Sequence, residues 1–261
     1  MDEEAPERLP TVDLFGISVV MAPMDRVVGW LTARAEAGVP TRVASLNAEQ
    51  VVTMRRDPAL REGLASADVV VPDGQSVVWL ARLLGYRPAE RVAGPDLMAA
   101  TMRSAEERGL PVYLLGTTDE ALGSLRRVLA TRFPRLAVVE ARNGFFDVED
   151  EEQVADRVAR SGARFVYVGI PSTRQVVWAS RWRPDRNGAV AIGVGGAFDV
   201  AAGRRRRAPR WMQRSGLEWL FRLVQEPGRL WRRYLLGNVV FAGLALEEIV
   251  TARLRHAPRP G

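Results

Sequence analysis

The segment VVVPDGQ sets a carboxylate, Asp73, directly after a run of β-branched residues, with Gly74 beside it. A carboxylate at the end of such a run can take the proton of an attacking hydroxyl. It can equally do no more than cap the helix that follows, and this segment by itself leaves both roles open. Ser45 and Asn47 of SLNAEQ are in the same situation, pocket hydrogen-bonders or a simple helix start. LLGTTDE brings Gly116 and Thr117 to another helix start, where backbone N–H groups suit a phosphate oxygen. GIPSTRQVVW brings Gly169, Pro171 and Gln175, whose amide can bond a uracil edge or a sugar hydroxyl, or stay a plain surface group. GVGGAFD, with Gly195 and Gly196, partly resembles a dinucleotide fingerprint. It follows the last strand of the array and lacks the acidic residue that should end a later strand, so NAD binding is not expected.

Residues 203–235, GRRRRAPRWMQRSGLEWLFRLVQEPGRLWRRYL, carry a different chemistry. Between 204 and 233 ten arginines stand against Glu218 and Glu226, a local net of +8, whereas residues 1–203 hold 24 basic and 27 acidic groups. The basicity belongs to the tail. Leu217, Leu220, Phe221 and Val224, then Leu230, Trp231, Tyr234 and Leu235 after Pro227, follow helical spacing and predict two helices parted by the proline. A solvated pair packed on the body is one reading. A nucleic-acid arm is another, but no recognition fold accompanies it and the body is slightly acidic. Arginine interleaved with tryptophan and leucine better suits an amphipathic helix lying on anionic lipid headgroups.

The elements that must position these groups follow from periodicity. Six apolar, β-branched runs, from TRVASLN to GAVAIGVGG, are each followed by a segment of helical spacing. Such alternation specifies a mostly parallel sheet with helices on both faces, because each parallel connection needs a crossover. The fold class is therefore α/β and Rossmann-like, with a C-terminal amphipathic helical appendage. VDLFGISVV adds an edge strand or hairpin, and MDRVVGWLTARAEAG the first helix. Division falls between a core, 1–203, and an Arg-rich appendage, 204–261. In open parallel sheets ligands bind beyond the carboxyl ends of the strands, which is where the groups named above gather.

Composition bounds the chemistry. With 261 residues and 47% hydrophobic content the chain can bury a full core. No cysteine and a single histidine, His256, argue against thiol and zinc enzymes. All 37 basic residues are arginine, so no single arginine is informative by identity alone. The N-terminal MDEEAPERLP is the opposite of a secretory signal, and LLGNVVFAGLAL falls short of the ~20 residues of a spanning helix. A cytoplasmic protein, peripheral on the inner face of the membrane, is the expectation.

Taken in order, SLNAEQ, ADVVVPDGQ, ERVAGPDL, VYLLGTT, NGFF, AIGVGGAFDVAAG and RAPRWMQRSGLEWLFRLVQEPGRLWRRY resemble the WecG/TagA/CpsF glycosyltransferases over roughly residues 12–235. The resemblance implies inverting transfer, without a metal or other cofactor, of an N-acetylmannosamine-type sugar. The donor it implies is a UDP-sugar and the acceptor an undecaprenyl-diphosphate-linked N-acetylglucosamine, in polysaccharide or teichoic acid synthesis. Asp73 matches the family's proposed base, Ser45 and Asn47 its Thr-x-Asn pocket with serine for threonine, and Gln175 a pocket glutamine. Arg222, Arg229 and Arg232 match arginines that close over the site, Arg222 in a catalytic role. Arg207 joins the substrate-binding set, and its neighbours in the 204–207 run, with Arg233, read as lipid contacts. One departure stands out: members carry Gly-x-Pro-Lys-Gln-Glu where this chain has GIPSTRQ, in the loop that touches the donor. Expected partners are the donor, the lipid-linked acceptor, an anionic membrane and, compatibly, further copies of the chain; nucleic acid is not among them. Another nucleotide-dependent enzyme on this fold, or a membrane-recruited scaffold without activity, are the competing readings.

Overall fold

The structure is a computed structural model describing residues 8–86, 90–181 and 188–256, without side chains at 214, 229, 232–234 and 253–256. The acidic residues 1–7, the His256 side chain and the chain after 256 lie outside the described residues.

Chain direction reverses first in a hairpin. Phe15 and Gly16 both take positive φ, 59° and 79°, in a two-residue turn whose twist matches the strands β1 (Thr11–Leu14) and β2 (Ile17–Val20) that it joins. Asp13 Oδ1 accepts the Gly16 N–H at 3.1 Å and secures it. The β-branched runs then form β3 (Thr41–Leu46), β4 (Val69–Pro72), β5 (Val112–Gly116), β6 (Val138–Arg142), β7 (Phe165–Gly169) and β8 (Val190–Gly193). They assemble one sheet of eight strands in the order β1-β2-β4-β3-β8-β7-β5-β6, and every pairing except β1–β2 is parallel. The α/β class expected from alternation is what the chain adopts.

Period-two alternation sends neighbouring strand residues to opposite faces. Val69 and Val71 join α1 (Met24–Glu36), α5 (Gly94–Arg108), α6 (Asp119–Arg132) and α9 (Ala197–Ala201) in one core. Val70 faces the other way, toward α2 (Ala48–Thr53), α3 (Pro58–Ala65) and α4 (Gln75–Leu83). On that same side, α7 (Glu151–Arg160) and α8 (Ser172–Arg181) cover β5 and β7 through Val154, Val158 and Trp178. Two of these helices, α3 and α5, are additional to the simple strand-helix alternation. Asp57, whose side chain accepts the Leu60 N–H, and Pro58 start α3. Gly94-Pro95 starts α5, and left-handed Gly109 ends it.

Loops after β3 and β7 turn to the α2/α8 face, while the loop after β8 turns to the α9 face. Divergence of this kind opens a crevice at the carboxyl edge of the sheet.

The appendage holds three helices rather than two: α10 (Arg210–Arg214), α11 (Glu218–Gln225) and α12 (Pro227–His256). Pro227 parts the last two as expected, sitting in the first turn where its missing N–H costs nothing. Helix α12 corrects the reading of its own sequence. It runs 30 residues and contains an apolar stretch, Leu235–Ala252, long and apolar enough to cross a membrane by length and composition. The uninterrupted apolar run had counted only as far as Glu247, but a helix continues through two glutamates when its backbone bonds are internally satisfied. One face of α12 rests on the body: Phe241, with Leu244 and Ala245, joins the α2/α4 core, and its ring meets Phe15 edge-on at 6.2 Å. Leu235, Leu236, Val239, Leu246 and Val250 on the remaining surface are exposed.

Candidate functional site

Adjacent parallel strands β3 and β4 bring their carboxyl ends side by side. Leu46 O accepts from the N–H groups of both Asp73, at 3.0 Å, and Gly74, at 3.3 Å, which ties the loop after β4 to the end of β3. A Cβ on Gly74 would stand 3.1 Å from the Asn47 backbone, so the glycine lets the two loops touch. Asn47 itself caps α2. Its Oδ1 accepts the Gln50 N–H while Gln50 Oε1 accepts the Asn47 N–H, both at 3.1 Å, a reciprocal capping box. The bland reading of that oxygen is thus correct, though Asn47 still lines the cavity described next.

Asp73, Asn47 and Gly74 border a cavity of about 470 Å³ whose far wall is the appendage. Arg222 and Glu218 of α11 enter it from one side, and Phe241 and Ala242 of α12 close another. The cavity lining is mixed, with polar Asn47, Asp73, Arg91, Glu218 and Arg222 and apolar Trp79 and Leu83 of α4 with Trp219.

Arg91, just before α5, links two of the polar groups. Its Nε donates to the Asp73 carbonyl at 2.6 Å, and its Nη2 donates to Glu218 Oε2 at 2.7 Å while lying 3.8 Å from Asp73 Oδ1. Arg222 Nη2 donates to the other oxygen, Glu218 Oε1, at 3.1 Å. The result is a carboxylate clasped between two guanidiniums, next to a second carboxylate, Asp73, that lies within ion-pair range of Arg91.

Environment sets the two acids apart. Burial pushes the Asp73 carboxyl above its ordinary value; Arg91 and Arg222 pull it back, Glu218 adds to the rise, and the Gly94 N–H opposes it, leaving it raised. Its side chain still keeps 28% exposure toward the cavity, so it is reachable. Burial also acts on Glu218, but Arg91 and Arg222 outweigh it and hold that carboxyl below the usual range. A raised carboxyl that faces a cavity is a base candidate, whereas a lowered one clasped by arginines is a fixed anion.

Of the other groups singled out in the sequence, none lines this cavity. Ser45 is buried in β3. Gly116 and Thr117 stand at positive φ, 147° and 47°, where Thr117 Oγ1 donates to Asp199 at 2.9 Å. Gly169 packs on them, its carbonyl accepting the Thr117 N–H at 3.1 Å, and Pro171 opens the loop into α8. Gln175 is buried, not a surface group: its Oε1 accepts the Gly195 N–H at 2.9 Å and holds the loop that leads through Gly196 into α9. These groups share the carboxyl edge but form a second cluster, knit by backbone bonds, around β5, β7 and β8.

Arginines of the 204–207 run make ion pairs. Arg207 gives both Nη groups to Asp96, Arg204 pairs with Glu120 at 3.1 Å and Arg205 with Glu226 at 2.8 Å. Arg204 and Arg207 therefore tie the appendage to the body, while the Arg205 pair lies within the appendage. Arg229 and Arg232 lie on α12, with side chains outside the described residues. Among the described residues no three acidic or histidine side chains are grouped to hold a metal ion.

Arg91 and Glu218 were missed from sequence. Each lies inside a quoted motif, ERVAGPDL and GLEW, and Glu218 is one of only two acids in the arginine-rich stretch, the one signal that could have raised it. Comparison with known families finds that the model of the glycosyl transferase WecG/TagA/CpsF family matches residues 12–255.

Proposed function

The chain belongs to the WecG/TagA/CpsF glycosyltransferase family, which points to glycosyl transfer in cell-surface polysaccharide synthesis, and on that premise we propose a specific reaction. An N-acetylmannosamine-type sugar passes from a UDP donor to N-acetylglucosamine carried on undecaprenyl diphosphate. The observation that carries this reading is one cavity holding a raised, accessible carboxyl, two arginines and an apolar wall. Such a cavity suits an acceptor with a hydroxyl, a diphosphate and a lipid.

Asp73 takes the proton of the acceptor hydroxyl as its oxygen attacks the anomeric carbon. The new C–O bond forms as the bond to UDP breaks, the diphosphate leaves with the electron pair, and the anomeric carbon inverts. Arg91 and Arg222 supply fixed positive charge toward the departing diphosphate, in the role a metal ion fills elsewhere, and the family resemblance assigns Arg229 and Arg232 to the same task. The glycine loops of the second cluster, Gly116–Thr117, Gly169–Pro171 and Gly195–Gly196, offer N–H groups to the donor.

Residues 1–203 act as the catalytic body and 204–261 as an appendage that completes the site. Exposed leucines and valines on the outer face of α12, with its inner face packed on the body, support peripheral docking on a membrane where the acceptor resides.

A transfer assay with a panel of UDP-sugars and a lipid-diphosphate acceptor tests the reading, run on the protein and on Asp73→Asn. Transfer from one UDP-sugar, lost by about 10²-fold or more in Asp73→Asn, is expected for removal of a general base. Unchanged transfer in that variant would remove Asp73 from the chemistry; lipid binding with no UDP-sugar turnover would favour a scaffold.

A further inference from the structure

Glu218 is a tail residue whose carboxylate is buried against the body, 7% exposed, and its two oxygens are shared between a body arginine and a tail arginine. The body arginine, Arg91, is at the same time bonded to the backbone of Asp73. A chain of three contacts thus runs from α11 to the candidate base. Glu218 accepts from both guanidiniums, one on each carboxylate oxygen.

We propose that Glu218 is a positioning residue: it fixes Arg91 and Arg222 at the mouth of the Asp73 pocket and takes up part of their positive charge, so that Asp73 remains a strong enough base to accept a proton. This rests on the assignment of Asp73 as the base. Two close arginines would otherwise weaken that carboxylate, since an opposite charge within a few ångströms favours the ionised form. Glu218 resolves the conflict by keeping the arginines near for the leaving diphosphate while offsetting them for Asp73. Other charged groups around this cluster are Glu49 of α2, which lines the same cavity, Arg207, which feels both Glu218 and Asp73, and beyond it Asp96, which holds Arg207 and also feels Arg91 and Arg210. Asp96 is committed to Arg207 by two hydrogen bonds, so it does not replace Glu218 as the partner of Arg91.

The test is Glu218→Gln, which keeps the shape and removes the charge, in the full chain with lipid-diphosphate acceptor and vesicles. Its kcat should fall about 10-fold, and the acid limb of its kcat/KM profile should move down by about half a pH unit or more, as the arginines' charge is no longer offset. A purely structural role predicts the opposite sign or none: an undocked tail carries Arg222 away, and the limb moves up or stays. Carboxyl ¹³C titration of Asp73, identified by its absence in Asp73→Asn, reads the same shift without turnover. A limb and a titration midpoint that stay in place or rise would overturn the proposal. Failure of Glu218→Gln to fold would overturn it too, in favour of a structural role. Activity surviving in Asp73→Asn would instead remove the base assignment, an outcome separable from a Glu218 variant that lowers kcat with no shift in the profile.

Discussion

Asp96 and Arg207, 111 positions apart, meet in two parallel hydrogen bonds of 2.6 and 2.5 Å. The pair fastens the start of the appendage to the first turn of α5, where a carboxylate is also favoured by the helix dipole. Arg207→Ala should therefore destabilise the folded chain by about 1 kcal/mol, a modest figure because Asp96 remains half exposed to screening solvent. Arg207 holds the Asp96 carboxyl below its ordinary value. A depressed carboxyl contributes stability that is present above its unfolded value and lost as pH falls through the folded one. The difference in urea midpoint between the two proteins should accordingly persist at about pH 7 and shrink below about pH 4.

Asp73 works in the other direction. Its carboxyl is raised, first by burial, so ionising it costs the native state something that the unfolded chain does not bear. That cost is absent below the unfolded value, grows as pH rises through the raised folded one, and is complete above it. Asp73→Asn should melt slightly higher than the parent at about pH 7, with the gap closing toward about pH 3, while transfer is lost. Calorimetry at the two pH values checks this, and a variant that melts lower at neutral pH would mean that the arginines stabilise Asp73 more than burial penalises it.

Gly116 tests the second cluster. With φ at 147° and a Cβ that would stand 2.4 Å from Gly169 O, the position admits no side chain without moving β5 off β7. Gly116→Ala should cost at least about 2 kcal/mol in chemical denaturation. Gly123, whose Cβ position meets nothing within 4 Å, is the control, and Gly123→Ala in the middle of α6 should be neutral or stabilising.

The outer face of α12 makes a prediction about membranes. Leu236 and Val239 are 64% and 68% exposed, so they add nothing to the core. Replacing both by glutamate should leave the melting temperature within a degree or so, as exposed substitutions generally do. Flotation with anionic vesicles should fall about 10-fold or more, through lost apolar burial and added repulsion. Undiminished flotation would move lipid contact elsewhere on the appendage.

Much of this architecture is legible in the sequence because hydrophobic periodicity is a local property. Alternation of β-branched runs with helical spacing was enough for a mostly parallel sheet, and the carboxyl ends of two such runs were enough to put Asn47 and Asp73 on one edge. Helices α3 and α5 escaped that reading. The apolar stripe of α3 is short, and the crossover from β4 to β5 that holds α5 could be spanned by one helix as well as by two. The length of α12 escaped it too, since two glutamates interrupt the apolar run without interrupting the helix.

By itself, then, the sequence determined the fold class, the edge of the sheet where the candidate site lies and the presence of a basic, apolar appendage, all of which follow from the order of residue types along short stretches. Tertiary structure decided which charges meet. With 37 arginines in the chain, no local pattern selects Arg91 as the partner of Glu218 or Arg207 as that of Asp96. Those pairs join segments more than 100 positions apart, and an ion pair's energy depends on distance and burial, neither of which is written in sequence spacing. The same holds for the parting of the expected site into two clusters, because sheet order, and not chain order, sets which strand ends are neighbours.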